Sequence, residues 1–192
     1  AVLPYTRYAL WSRGADYFAQ ARLPRSEWKT LADLEPQLAE FDLRCAAQEY
    51  STAADVLAEV DFGYLLLWGH IRLLVQLHGN LQGRLTEPRQ NAIHFGNLGN
   101  AYYSSGQARE AIEYYEQALA IARAIGDRRG EGTALGNLGN AYRDLGQVRE
   151  AIGYCEQALA IARAIGDRRS EGNRLGNLGN AYSDLGQVGE AI

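Results

Sequence analysis

Six asparagines stand in three pairs along this chain: Asn97 and Asn100, Asn137 and Asn140, Asn177 and Asn180. Each pair sits in the phrase Gly-Asn-Leu-Gly-Asn-Ala-Tyr, which occurs at 96–102, 136–142 and 176–182, 40 residues apart. A carboxamide both donates and accepts, so it can satisfy a peptide N–H and a peptide C=O whatever side chains that peptide carries. In the middle copy Thr133, Asn137, Asn140 and Asp144 fall at i, i+4, i+7 and i+11, one stripe of a helix at about 100° per residue. The matching rows are Ile93, Asn97, Asn100, Ser104 and Asn173, Asn177, Asn180, Asp184. Arg143 beside Asp144 could pair with a ligand charge, while Asp144 and Asp184 keep the stripe mixed or mildly acidic.

Other chemistry is hard to place. A phosphate-cradling loop ends in Gly-Lys-Ser/Thr, yet Lys29, the only lysine, follows Ser26-Glu27-Trp28. His70, His78 and His94 are too scattered for a zinc motif, and Cys45 and Cys155 form no CxxC. No GxSxG occurs. Glu110, Glu113 and Glu116 follow helical spacing and read as a solvated face, and Cys155 stands where the copy before has Tyr115, a core substitution. The expectation is therefore no catalytic residue, no metal and no cofactor. A net charge of −4 and a pI near 5.4 argue against a general nucleic-acid binder. No apolar run reaches the roughly 18–20 residues of a membrane span, and unpaired thiols suggest a cytoplasmic setting. The absence of methionine and an end part-way through the third copy read as a piece of a longer protein.

The elements that would position the asparagines follow from the repeat. Residues 96–135 and 136–175 agree at 31 of 40 positions without a gap, a fixed period that signals an array. Leu135, Leu138, Tyr142 and Leu145 form one apolar helical stripe; Ala151, Ile152, Cys155, Ala158, Leu159, Ala162 and Ile165 form another. Gly146–Gln147 breaks the two helices, and Gly166–Asp167 ends the second and offers an N-cap to the next. Each period is predicted to be two antiparallel helices of about 18 residues. A glycine inside a helix costs about 1 kcal/mol against alanine, so Gly99, Gly139 and Gly179 point to close helix-to-helix approach.

Leu135-x2-Leu138-Gly139-x2-Tyr142 followed by Ala151-x3-Cys155 resembles the tetratricopeptide repeat. Phe95, Leu98, Gly99, Tyr102, Ala111 and Tyr115 carry the pattern one period earlier; Leu175, Leu178, Gly179, Tyr182 and Ala191 carry it one period later. The usual period is 34, the aromatic opener is leucine twice here, and the closing proline is missing, which lets the second helix run on to Ile165. The 40-residue, Leu-Gly-Asn-bearing variety is similar to Pins-type scaffolds and kinesin light chain. The resemblance implies an all-α fold, a right-handed α-solenoid of antiparallel helix pairs. Its first helices line a concave face where asparagines at the matching places grip an extended peptide. A solvated face copied by duplication would keep the same asparagines, so the peptide-binding reading stands beside that bland one. Family members that clamp the terminal carboxylate of chaperone tails put Lys or Arg on this stripe; here Thr133, Asn137, Asn173 and Asn177 occupy those places, which speaks against such a clamp.

Residues 86–192 read as the array, with repeats at about 86–126, 127–166 and a truncated 167–192, and residues 1–85 as a degenerate helical cap. Tyr5–Ala21 is predicted as a helix, and Pro36 opens another that runs to Gln48. Gln48–Ala53 echoes the turn of the later repeats, Phe62–Leu77 reads as the most apolar helix, and Thr86-Glu87-Pro88 is a helix start. This half also resembles the segment before the repeats in bacterial STAND-type signalling ATPases. The resulting expectation is a non-enzymatic scaffold with a protein or peptide partner. Its rivals are the sensor arm of such an ATPase and an array that self-assembles through its open C-terminal repeat.

Overall fold

The computed structural model describes residues 6–186; Tyr5, Ala191 and Ile192, which the sequence reading used, lie outside them. Every regular element among the described residues is helical. The chain divides into two units, residues 1–90 and 91–192.

In the first unit α1 (Arg7–Gln20) begins on Thr6, whose hydroxyl accepts from the Ala9 N–H at 3.2 Å. A short 3-10 turn at Arg25–Glu27 follows Pro24, and α2 (Glu35–Ala46) carries Pro36 in its first turn. Between α2 and α3 (Tyr50–Val60) Gln48 adopts φ 62°, a left-handed conformation that favours glycine. The Gln48 N–H reaches Cys45 O and the Glu49 N–H reaches Arg44 O at 2.8 Å. Gly106 and Gln107 make the same pair of bonds to Tyr103 O and Tyr102 O, so the echo in the sequence is a shared helix-ending turn. Acidic and basic side chains tie this turn down: Arg44 meets both Asp16 and Glu49 at 2.6 Å, and Glu40, 3% exposed, accepts from Arg22 at 2.6 Å.

The helix expected over Phe62–Leu77 is not continuous. Asp61–Leu66 winds as a π-type turn, Gly69 at φ 79° breaks the chain, and α4 runs from Ile71 to Leu81. The His70 N–H closes back on Leu65 O at 2.8 Å, so the segment ends on the same glycine-dependent turn. Leu65 and Leu74 are buried, whereas Phe62 is exposed.

The first helix of the array, α5 (Pro88–Ser104), starts as the proline requires, but its cap is Glu87, which accepts from the Gln90 N–H at 2.6 Å, and not Thr86. It is followed by α6 (Ala108–Ala124), α7 (Arg128–Asp144), α8 (Val148–Ala164) and α9 (Arg168–Asp184), 17 residues each. Gly106, Gly126, Gly146 and Gly166 all take φ between 70° and 80° and separate them. Asp127 and Asp167 cap α7 and α9 by accepting from Gly130 N–H at 2.9 Å and Ser170 N–H at 3.1 Å.

The second unit's core is assembled from the two apolar stripes. Leu98, Leu135, Leu138, Tyr115, Cys155, Ala111 and Ala151 are all at most 2% exposed; each large aliphatic side chain so buried contributes about 1.5–3 kcal/mol. Small residues let the helices close up: a Cβ on Gly99 would stand 2.4 Å from Tyr115 Cε1, and one on Gly139 2.6 Å from Cys155 Sγ. Tyr102 stacks on Tyr114 and Tyr142 on Tyr154, each pair 5.1 Å between ring centres. Leu145 and Ile165, which the stripes had included, are 37% and 39% exposed. Each is the C-cap residue of its helix, α7 and α8 respectively, and has turned outward at the end of its stripe.

Candidate functional site

The first helices of successive periods lie side by side, and side chains on the polar stripe reach from one to the next. Tyr103 on α5 donates to Asp144 Oδ2 on α7 at 2.6 Å, and Arg143 on α7 meets Asp184 on α9 at 3.8 Å. Asn100 Oδ1 on α5 accepts from Asn137 Nδ2 on α7 at 3.2 Å and from Tyr115 Oη on α6 at 2.9 Å. The stripe is thus one face built by α5, α7 and α9, as the i, i+4, i+7 spacing requires.

Its residues are not equivalent. Between α5 and α7 the polar groups are tied together: Asn100, Asn137, Tyr115, Tyr103 and Asp144 are all engaged. Burial and the Asp144 bond push the Tyr103 hydroxyl up to about 12, and burial holds Tyr115 protonated still more strongly. Between α7 and α9 the counterpart of Tyr115 is Cys155, too short to reach Asn140. Asn140, Asn177 and the exposed Asn180 make no side-chain hydrogen bond among the described residues. Asn97 is half-buried on α5. Arg143 is neutralised by Asp144 at 3.6 Å and Asp184 at 3.8 Å. Thr133 turns back to donate to Arg129 O at 3.0 Å.

Sequence reasoning missed the residue that fills the second step. Arg174 takes the place held by Ala134 and His94 one and two periods earlier in the array. Its guanidinium lies on Gly136, where a Cβ would fall 1.9 Å from Nη1 and 2.0 Å from Cζ. Burial lowers its pKa from the ordinary arginine value, opposed by Cys155 and Asp167. The row His94–Ala134–Arg174, one of nine differences between the near-identical periods, was the available signal. The same burial raises the Cys155 thiol despite Arg174 and Arg143 nearby, leaving it protonated and poorly nucleophilic.

Ion pairs gather at the Gly-Asp-Arg-Arg turns, residues 126–129 and 166–169. Glu131, 8% exposed, gathers Arg123 at 3.0 Å and Arg128 at 2.5 Å, and Glu171 gathers Arg163 and Arg168 in the same way. Among the described residues no group of three His, Cys, Asp or Glu could hold a metal ion, and no helix is long and apolar enough to cross a membrane.

Comparison with known proteins fits this architecture. A tetratricopeptide repeat family model matches residues 90–164 and again 130–192. No curated protein sequence matches the chain. Among solved structures, the TPR domain of Arabidopsis FLU is similar at 25% identity and a TM-score of 0.53, covering 55% of this chain and 88% of that one. A Rap protein in complex with Competence and Sporulation Factor aligns at 16% identity and a TM-score of 0.62, covering 96% of this chain and 61% of that one. A Podosopora anserina kinesin light chain protein with nearly identical TPR-like repeats aligns at 22% identity and a TM-score of 0.51, covering 96% and 87%. With the family model matched over more than half its length, on paired helices of that pattern, the chain belongs to the tetratricopeptide repeat proteins, a fold that serves as a protein–protein interaction scaffold.

Proposed function

We propose that this chain is a non-enzymatic scaffold that holds an extended peptide or a partner's helix on the face made by α5, α7 and α9, the concave side of the solenoid. The observation that carries the reading is the row of unengaged amides: Asn140, Asn177 and Asn180 make no side-chain hydrogen bond among the described residues. Asn140 and Asn177 are half-buried on this face and Asn180 is exposed, and a peptide backbone supplies both a donor and an acceptor for such amides. Solenoids concentrate binding on such extended surfaces. The Rap protein of the same fold, whose structure is a complex with Competence and Sporulation Factor, is a precedent for a bound ligand on this architecture.

Asn100 and Asn137 serve a different purpose in this reading, since they already bond each other. The test therefore targets the free pair. Peptides selected from a random display library on the intact chain should bind the Asn140→Ala/Asn177→Ala variant about tenfold more weakly, from two lost bonds of about 0.5–1.5 kcal/mol each. The thermal midpoint should stay within about a degree. Unchanged affinity for every selected peptide would refute the assignment of this face.

A further inference from the structure

We propose that two tyrosine pairs in the array, Tyr102 with Tyr114 and Tyr142 with Tyr154, are oxidative modification sites. At each, a one-electron oxidant couples the two rings into a dityrosine that staples the first helix of the period to the second. This does not depend on what the face made by α5, α7 and α9 binds.

The four rings repeat one arrangement. Tyr102 on α5 and Tyr114 on α6 stand twelve positions apart, as do Tyr142 on α7 and Tyr154 on α8. Ring centres lie 5.1 Å apart in both pairs, with 12° and 18° between the planes. The hydroxyls meet as well: Tyr114 donates to Tyr102, and Tyr142 donates to Tyr154. An ortho carbon is bonded to the carbon that bears the hydroxyl. Bonded hydroxyls on near-parallel rings therefore leave two ortho carbons within reach of small side-chain rotations. All four rings are half-buried, so each keeps some surface open to a small oxidant. The usual competitors for oxidation are missing or shielded. The chain has no methionine, and Trp11, Trp28 and Trp68 all lie in the first unit. Cys155 is 1% exposed and burial pushes its thiol up. Tyr103 and Tyr115 are committed elsewhere, to Asp144 and Asn100.

The chemistry balances with two oxidising equivalents per pair. Each tyrosine gives one electron to the oxidant and one proton to solvent, leaving a neutral phenoxyl radical whose unpaired electron is shared with the ortho carbons. Two such radicals in one stack pair those electrons in a new carbon–carbon bond. The hydrogen on each joined carbon then moves to its own ring's oxygen and restores the phenol. Two tyrosines thus become one dityrosine, with two protons released and two oxidant molecules reduced. Radicals on separate chains must find each other by diffusion, whereas a stack holds the partners in place. Burial pushes the Tyr142 hydroxyl up to about 12, with Tyr154 and the carboxylates of Glu116 and Glu150 adding to it. The same negative charge favours loss of an electron from that ring. The product closes a short loop across the turn between two helices, which restricts the unfolded chain.

The experiment treats the intact chain, dilute enough that chains rarely collide, with photogenerated tris(bipyridine)ruthenium(III), a small one-electron oxidant. Tryptic peptides are then mapped by mass spectrometry. Cross-linked pairs two hydrogens lighter than their sum should join 130–143 to 150–163 and 90–109 to 110–123. Fragment ions should place the bonds at Tyr142–Tyr154 and Tyr102–Tyr114. The oxidised chain should stay monomeric on a denaturing gel, and its thermal midpoint should rise by several degrees. The Tyr114→Phe/Tyr154→Phe variant keeps a ring in every stack but leaves one partner unable to form a phenoxyl radical. It should lose both cross-links and the rise in midpoint. Cross-links that join separate chains, or tyrosines outside the two stacks, would overturn the proposal. So would stacked tyrosines left unmodified while Cys155 or the tryptophans are oxidised. A rise in midpoint that survives in the double variant would show that the staple is not its source, and overturns that role.

Discussion

The two steps of the array begin from nearly the same 40 residues and end differently. Between α5 and α7, Tyr115 fills the space over Gly99 and its hydroxyl holds Asn100, which in turn holds Asn137. Between α7 and α9, Cys155 sits over Gly139, no side chain among the described residues bonds Asn140, and Arg174 enters over Gly136. The first step is a closed polar lock on an aromatic core; the second is a pair of amides with no side-chain hydrogen bond among the described residues, beside a half-buried arginine. Five of the nine substitutions that separate the periods, at 103/143, 104/144, 115/155, 133/173 and 134/174, fall around these two steps. In a repeat protein the identical residues maintain the stack, and the differences distinguish one surface from the next.

Replacing the central core side chain is the strongest way to break the comparison. Tyr115→Ala removes a ring that is 2% exposed together with the hydroxyl that organises Asn100; the expected loss is about 3–5 kcal/mol in urea unfolding. Cys155→Ala, the same position one period later, should cost only about 1 kcal/mol, because one sulfur is lost and no hydrogen bond. Equal losses would mean the two steps do not differ in their cores.

The glycines come next. Gly99→Ala drives a Cβ into the Tyr115 ring and should destabilise by about 1–3 kcal/mol. Gly136→Ala meets only the end of Arg174 and gains about 1 kcal/mol of helix propensity, so its denaturation midpoint should hold or rise.

His94, the member of the Arg174 row on α5, sharpens the comparison through pH. Burial lowers its pKa from 6.5 to about 4. The unfolded chain then binds a proton that the folded chain refuses between those values, so stability falls as pH drops from 6.5 toward 4. The slope from this residue is at most about 1.4 kcal/mol per pH unit. Thermal melts of a His94→Ala variant, which copies Ala134, should show a shallower decline over that window than the parent chain; identical declines would remove His94 as a cause.

The smallest effect separates the asparagines. Asn137→Ala breaks the bond to Asn100 and should cost about 0.5–1.5 kcal/mol. Asn177→Ala, its equivalent one period on, breaks none and should stay within about 0.5 kcal/mol. A larger cost at Asn177 than at Asn137 would invert the assignment of locked and open steps.

How much could be read in advance varies with the kind of residue. Helix ends at Gly146 and Gly166, the caps Asp127 and Asp167, and the buried leucines Leu135 and Leu138 were legible because backbone conformation, end capping and burial depend on local pattern. The break at Leu67–His70 was not, since a mostly apolar stretch of sixteen residues outweighs the glycines within it in any periodicity count. The asparagine stripe was legible as a stripe. Which of its members are engaged was not, because that depends on a tyrosine fifteen residues away on another helix.

The sequence by itself determined the family, the 40-residue helix pairs, and the face on which the asparagines would lie, all consequences of period and local chemistry. Only the tertiary structure decided that Asn100 and Asn137 bond each other, that Asn140 and Asn177 do not, and that Arg174 lies on Gly136. Those outcomes depend on where side chains from different helices meet, and a one-dimensional period carries no record of the distance between a guanidinium and a backbone 38 residues earlier in the chain.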